Sequence, residues 1–179
     1  MVTARGDVLL DTLVNPGVPI SREASEIHGI TDEVVASAPK FGQLLVDLTR
    51  VLDGRRVLIY NRSYDVGRLR WELTRHYLDR AAREAAQEVA AAGVLPEGLR
   101  EQAVAGAQKQ ANAWIDAVTF EDVMVPYSDW VGDWSDYWGN YSWQPLNGGH
   151  RALGDCRAVL DRLRSMAKDR GFEYSEGGS

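Results

Sequence analysis

Asp65 and Asp155 each fall in the first turn of a predicted helix, at the margin of its apolar stripe. In "GHRALGDCRAVLDRLRSMAKDRG", Ala152, Cys156, Val159, Leu160, Leu163, Met166 and Ala167 share one face. Asp161 lies opposite that stripe, and Asp155 lies beside it, roughly 80° from its centre by helical geometry. In "DVGRLRWELTRHYL" the stripe is Val66, Leu69, Leu73 and Tyr77, with Asp65 at its edge. An acid so placed faces partly inward and needs a partner. Taken singly, each is an ordinary first-turn acid favoured by the helix dipole. Taken together, they are oxygen ligands that could converge on Mg²⁺ or Mn²⁺. His150 follows two glycines in "NGGHRALGDC", a setting in which an imidazole can take a proton from a bound water.

These side chains need a scaffold, and the hydrophobic pattern sketches one. Residues 7–14, "DVLLDTLV", alternate and end at an "NPG" turn, so they read as a strand. "ARG" before them reads as a hairpin turn, with Met1 to Thr3 the stub of an earlier strand. Thr31 is placed as N-cap of a short helix that has Asp32 and Glu33 in its first turn. Phe41, Leu44, Leu45, Leu48, Val51 and Leu52 recur at helical spacing between Pro39 and Gly54. "RRVLIYN" reads as a continuously apolar strand inside a covered sheet, with a helix from about Asp65. Residues 80–113 are alanine-rich and charged, with one "LPEG" break, and read as two inserted helices. A last helix closes at Gly171, ahead of a disordered tail at 171–179. The expectation is one α/β layered domain over residues 1–170.

Composition narrows the function classes. The 179 residues suffice for one sizeable core, and 45% hydrophobic with 26% charged residues is ordinary for a soluble globular chain. No apolar run reaches the ~18 residues of a membrane span. The N-terminus lacks a signal-peptide layout. The single cysteine, Cys156, forms no internal disulfide, which suits the cytoplasm; it lies on the core stripe and reads as a small buried hydrophobe. A net charge of −6 excludes a broad basic face for nucleic acid. It leaves open a nucleic-acid enzyme whose positive charge is supplied by metal ions.

"IHGIT" (Ile27 to Thr31), "YNRSYDVGRL" (Tyr60 to Leu69) and "HRALGD" (His150 to Asp155) together resemble the successive landmarks of the DEDDh exonucleases. That family includes the proofreading subunit of the bacterial replicative DNA polymerase and oligoribonuclease. Asn61 and Asp65 match its Asn-x-x-x-Asp form, and His150, Ala152 and Asp155 its His-x-Ala-x-x-Asp form. The resemblance covers residues 1–79 and about 114–168 and leaves the 80–113 insertion outside. It implies a ribonuclease H-like fold, a mixed sheet flanked by helices, and stepwise 3′-to-5′ hydrolysis assisted by two metal ions. It further implies that Asp65 and Asp155 are metal ligands, that His150 is the general base, and that Asn61 and His28 touch the substrate.

The family's Asp-x-Glu motif on the opening strand is absent. Asp11 in "LLDTLV" is a superficial candidate, but Leu13 stands where Glu is required, and Asp11 lies too close to "IHG". The resemblance therefore implies that the first strand or strands, about 20 or more residues, are missing. A misplaced start or fragment, an inactive remnant, and a binding protein that kept the fold all fit. Two dications carry four positive charges, whereas Asp65 and Asp155 offer two negative ones, so the site should bind one metal weakly or none. The first expectation is a cytoplasmic, metal-dependent 3′-to-5′ exonuclease acting on single-stranded DNA or short RNA ends, weak or inactive as it stands, with a DNA polymerase as candidate partner and no membrane. The second is a non-catalytic nucleic-acid-binding or interaction module on the same scaffold.

Other features read as structural. "DWVGDWSDYWGNYSW" offers Trp130, Trp134, Trp138 and Trp143, rings that could stack bases. Asp129, Asp133 and Asp136 interleave with them and repel phosphates, so a loop packed on the core is expected. His28 in "IHGI" is also expected to order a tight loop, and His76 to be structural on its helix stripe. "QLLVDL" superficially resembles a sliding-clamp peptide, but its leucines belong to the core stripe.

Overall fold

A computed structural model describes residues 1–92, 98–149 and 151–169 of the chain. In chain order the elements begin with α1 (Arg22–His28), α2 (Asp32–Val35), α3 (Phe41–Leu52), β1 (Arg56–Ile59) and α4 (Arg62–Ala92). They continue with α5 (Leu99–Asp116), β2 (Thr119–Asp122), α6 (Met124–Val131), β3 (Trp134–Ser135), β4 (Asn140–Tyr141) and α7 (Ala152–Asp169). Two compact units result: Met1–Lys40 with Leu58–Arg62 and Phe120–Ser179, and Phe41–Val57 with Ser63–Thr119. The chain is mixed α/β. Among the described residues the strands form two small sheets, β1 with β2 and β3 with β4.

In the first unit the N-terminal hairpin survives as one antiparallel bridge, Val2 to Val8, around a turn in which Thr3 N–H donates to Asp7 O at 2.9 Å. The strand expected over 7–14 does not form. Asn15 pairs with Lys40, and the residues between the two bridges join no ladder among the described residues. β-propensity alone cannot hold a strand whose edge has no neighbour to bond. Helix α1 has no signature in the hydrophobic pattern, because none of its residues is buried. Its caps define it instead: Ser21 Oγ accepts from Ala24 N–H at 3.2 Å, and Gly29 at φ 67° closes it. Thr31 stands at the N-cap of α2 as expected, and Asp32 Oδ1 accepts from Ile20 N–H at 2.9 Å. α6 packs against α7, and Val35, Val123, Met124 and Ser128 are buried in this unit.

The second unit has a helical core. The six expected apolar positions of α3 are its less exposed ones, with Leu52 buried. Val66 and Leu73 of α4 and Ala107, Ala111 and Ile115 of α5 complete the core. The alanines recur every fourth residue, so α5 presents a smooth face that a neighbouring helix can approach. Polar ties fix the register: Trp114 Nε1–H donates to Thr49 Oγ1 at 2.9 Å, and Arg70 Nε to Asn112 Oδ1 at 3.0 Å.

Four further expectations are corrected. β1 alternates between exposed and half-buried residues, with Leu58 43% exposed, so it is not covered on both faces. α4 begins at Arg62 rather than near Asp65 and runs unbroken to Ala92, so no helix boundary marks residue 80. Its early start has a tertiary cause, since the Asp122 carboxylate at the end of β2 accepts Arg62 N–H at 2.7 Å. The tryptophan-rich segment is no packed loop. It is a hairpin with Trp134, Trp138 and Trp143 well exposed, whereas Trp130 before it is half-buried, its Nε1–H donating to Asp169 Oδ2 at 2.9 Å. Cys156 is half-buried rather than buried. The expected stop at Gly171, the tail and most of "LPEG" lie outside the described residues.

Candidate active site

The loop before α7 is built on two close approaches. Asn147 and Gly149 adopt left-handed backbone, at φ 58° and 82°. Gly148 between them lies against the first turn of α7. A Cβ placed on Gly148 would stand 2.5 Å from Asp155 Cα and 2.7 Å from its backbone nitrogen, and would collide with the carboxylate. A Cβ on Gly154 would collide with the Gly148 carbonyl. Only glycine fits either position. Asp155 N–H donates to Arg151 O at 2.9 Å. Its side chain is half-buried whereas Asp161 is exposed, in agreement with their helical phases. His150 lies outside the described residues.

An open groove of about 790 Å³ adjoins this corner. Its lining includes Asp11, Leu13, His28 and Ile30 on one side and Arg151 and Leu153 from the start of α7 on the other. His28 is not in a loop: it is the last residue of α1. Its Nδ1 accepts from Ile30 N–H at 3.0 Å and so orders the turn as expected. That bond fixes the neutral ring as the Nε2–H tautomer, a donor suited to a phosphate oxygen. Arg151 was not singled out from the sequence. The available signal was a cation one residue ahead of an 18-residue helix whose N-terminus itself favours anions.

The second motif is placed by the turn after β1. Asn61 sits at φ 59°, a left-handed conformation that asparagine tolerates, and joins strand to helix without a loop. Tyr60 Oη donates to Gln144 O, and its hydroxyl pKa is raised by burial and then by Tyr127, with Arg162 opposing. The Arg162 guanidinium lies 5.3 Å from the Tyr127 ring centroid and donates to Leu146 O at 3.4 Å, tying α7 to the segment before the glycine loop. Asp65 is exposed in the first turn of α4 and belongs to the second unit, whereas Asp155, His28 and Asn61 belong to the first. Among the described residues no group of three or more His, Cys, Asp or Glu side chains is placed to hold a metal ion. Asp65 and Asp155 are two of the four carboxylates that the resemblance implies.

A family model described as an exonuclease, the RNase T family, matches residues 2–90. The chain belongs to this exonuclease family. The matched stretch contains Asn61 and Asp65, ends before Asp155, and runs past residue 80 into the segment read as an insertion. An uncharacterized exonuclease of Escherichia phage 186 is 27% identical over 180 residues, covering 94% of this chain and 77% of that protein. DNA polymerase III subunit epsilon of Haemophilus influenzae is 36% identical over 59 residues, and that of Pasteurella multocida 34% over 59. Each epsilon alignment covers 33% of this chain and 23% of the relative, so the chain spans under a quarter of those subunits. No solved structure matches. Among the described residues no helix is long and apolar enough to cross a membrane.

Proposed function

We propose that this exonuclease-family chain acts on nucleic-acid 3′ ends, in single-stranded DNA or short RNA, with Mg²⁺ or Mn²⁺. The observation that carries this reading is the family match, joined to the groove that brings His28 and Arg151 together beside the Asp155 turn. His28 Nε2–H and Arg151 are the proposed phosphate contacts, and Asn61 is a further substrate contact. Asp65 and Asp155 are the proposed metal ligands and His150 the base that takes the proton of the attacking water. With Asp-x-Glu absent from the sequence, these groups supply half of the expected carboxylates, so turnover in this chain is weak or nil. The epsilon relatives make a DNA polymerase the partner to try first.

The test uses 5′-labelled single-stranded DNA and a short RNA, each with Mn²⁺ or EDTA. The expected result is faint shortening from the 3′ end at most, absent with EDTA and lost in Asp155→Asn. Adding an N-terminal strand that carries Asp-x-Glu should raise the rate, and His150→Ala should then lower it 10²–10⁴-fold. Strong degradation by the unextended chain that survives Asp155→Asn would overturn the site. The lack of a described metal cluster favours one second reading, a nucleic-acid-binding module without catalysis. That module would bind labelled single strands equally in EDTA and leave them intact.

A further inference from the structure

The β3–β4 hairpin is sharply defined and carries an unusual surface. Trp134 pairs with Tyr141 and Ser135 with Asn140, and Ser142 N–H donates to Asp133 O at 2.7 Å below the pair. At the tip, Gly139 at φ 64° closes the turn, and its N–H donates to Ser135 O at 2.9 Å. The rings are ordered against one another. Tyr137 and Trp138 meet edge to face at 4.7 Å, and Trp134 and Tyr141 at 5.2 Å. They are also bare: Trp134 is 53% exposed, Trp143 69%, Trp138 73% and Tyr137 85%. Rings of this size normally dominate cores and interfaces. Asp129, Asp133 and Asp136 are exposed alongside them, and the sequence has no Lys or Arg between Lys109 and Arg151.

We propose that the β3–β4 hairpin is a docking surface for an Arg- or Lys-rich segment of a partner protein. Charge complementarity selects this occupant. Aromatic faces attract cations, and guanidinium stacks on such rings while pairing with adjacent carboxylates. The same carboxylates repel a nucleic-acid backbone and an anionic lipid surface. None of the hairpin residues lines the groove, so a partner held here leaves the groove lining free.

The experiment titrates the full chain with an octa-arginine peptide, following tryptophan fluorescence and calorimetry, with an octa-glutamine peptide and a single-stranded oligonucleotide as further arms. Octa-arginine should bind and octa-glutamine should not. The Tyr137→Ala/Trp138→Ala double variant keeps the net charge and should bind octa-arginine about tenfold more weakly. Asp133→Asn/Asp136→Asn should lose a similar factor, and a control pair far along the sequence, Asp47→Asn/Glu101→Gln, should lose almost none. Far-ultraviolet circular dichroism and melting confirm that each variant folds, as expected for exposed tip residues. Equal binding by the aromatic double variant would reduce the effect to general charge attraction and overturn the proposal. Oligonucleotide binding that depends on Tyr137 and Trp138, without octa-arginine binding, would also overturn it and make the hairpin a base-stacking platform.

Discussion

Gly148 and Gly154 carry the most constrained atoms of the candidate site. Their missing β-carbons let the loop backbone lie directly on the first turn of α7, where Asp155 sits. The obstacles are backbone atoms, which cannot swing aside as a side chain could. Gly148→Ala and Gly154→Ala should each cost about 1–3 kcal/mol, as overpacked interiors do. For a chain of this size that lowers Tm by several degrees in a calorimetric scan. An unchanged Tm in both variants would mean that the loop does not press on the helix. The sequence showed glycines beside His150 and Asp155; the structure adds that Gly148 and Gly154 make room for the backbone. Arg151 and His28 make a milder case. Both line the groove, so Arg151→Gln and His28→Gln should weaken single-strand binding in EDTA and leave Tm almost unmoved, measured by fluorescence anisotropy and melting. Of these two, His28 was legible because it lies in a landmark segment. Arg151 was not, since a lone arginine at a helix start is usually solvated.

Helix stripes were legible and element partners were not. The α3 stripe and the Val66, Leu69, Leu73 series of α4 follow from spacing alone, because a helix satisfies its own backbone. The 7–14 strand failed because a strand depends on a neighbour that no local pattern supplies. The start of α4 at Arg62 depends on Asp122, 60 residues away along the chain. His76 shows the same logic between two elements. Its stripe position predicts a structural role, and a Cβ on Gly42 of α3 would stand 2.5 Å from its Nδ1. Burial, and then Arg80 and Arg83, hold its imidazole below the ordinary value of 6.5, with Asp79 opposing. The folded state thus prefers the neutral ring. This contribution to stability is complete above the ordinary histidine value. It is lost as pH falls from there toward the lower folded value, because the unfolded chain takes up the proton first. Denaturant midpoints should therefore fall as pH drops below 6.5. His76→Gln should flatten that portion of the curve, and Gly42→Ala should displace the ring and shift its proton NMR titration upward. A curve with the same slope in His76→Gln would assign the pH dependence to other groups.

At the scale of the whole chain, ancestry was legible and a complete site was not. Three short segments in order pointed to the exonuclease family, and the family match bears that out. Each segment is locally constrained: a left-handed asparagine at a strand end, two glycines against a helix, a histidine closing a turn. A metal centre is different, since it exists only when several carboxylates meet. The sequence offers Asp65 and Asp155 without Asp-x-Glu, and among the described residues no set of three donors assembles. The consequence is measurable without turnover. If the whole chain holds Mn²⁺ with a millimolar dissociation constant, an equal metal concentration stabilises it by RT ln 2, about 0.4 kcal/mol. That moves Tm by about one degree. A site with all its acids that binds a hundredfold below the working concentration would gain about 2.7 kcal/mol, a shift of several degrees. Differential scanning fluorimetry of this chain with Mn²⁺ against EDTA should therefore show a shift near one degree or less, which Asp155→Asn should remove. A shift of several degrees that disappears in Asp155→Asn would show that other groups of the chain complete the metal site.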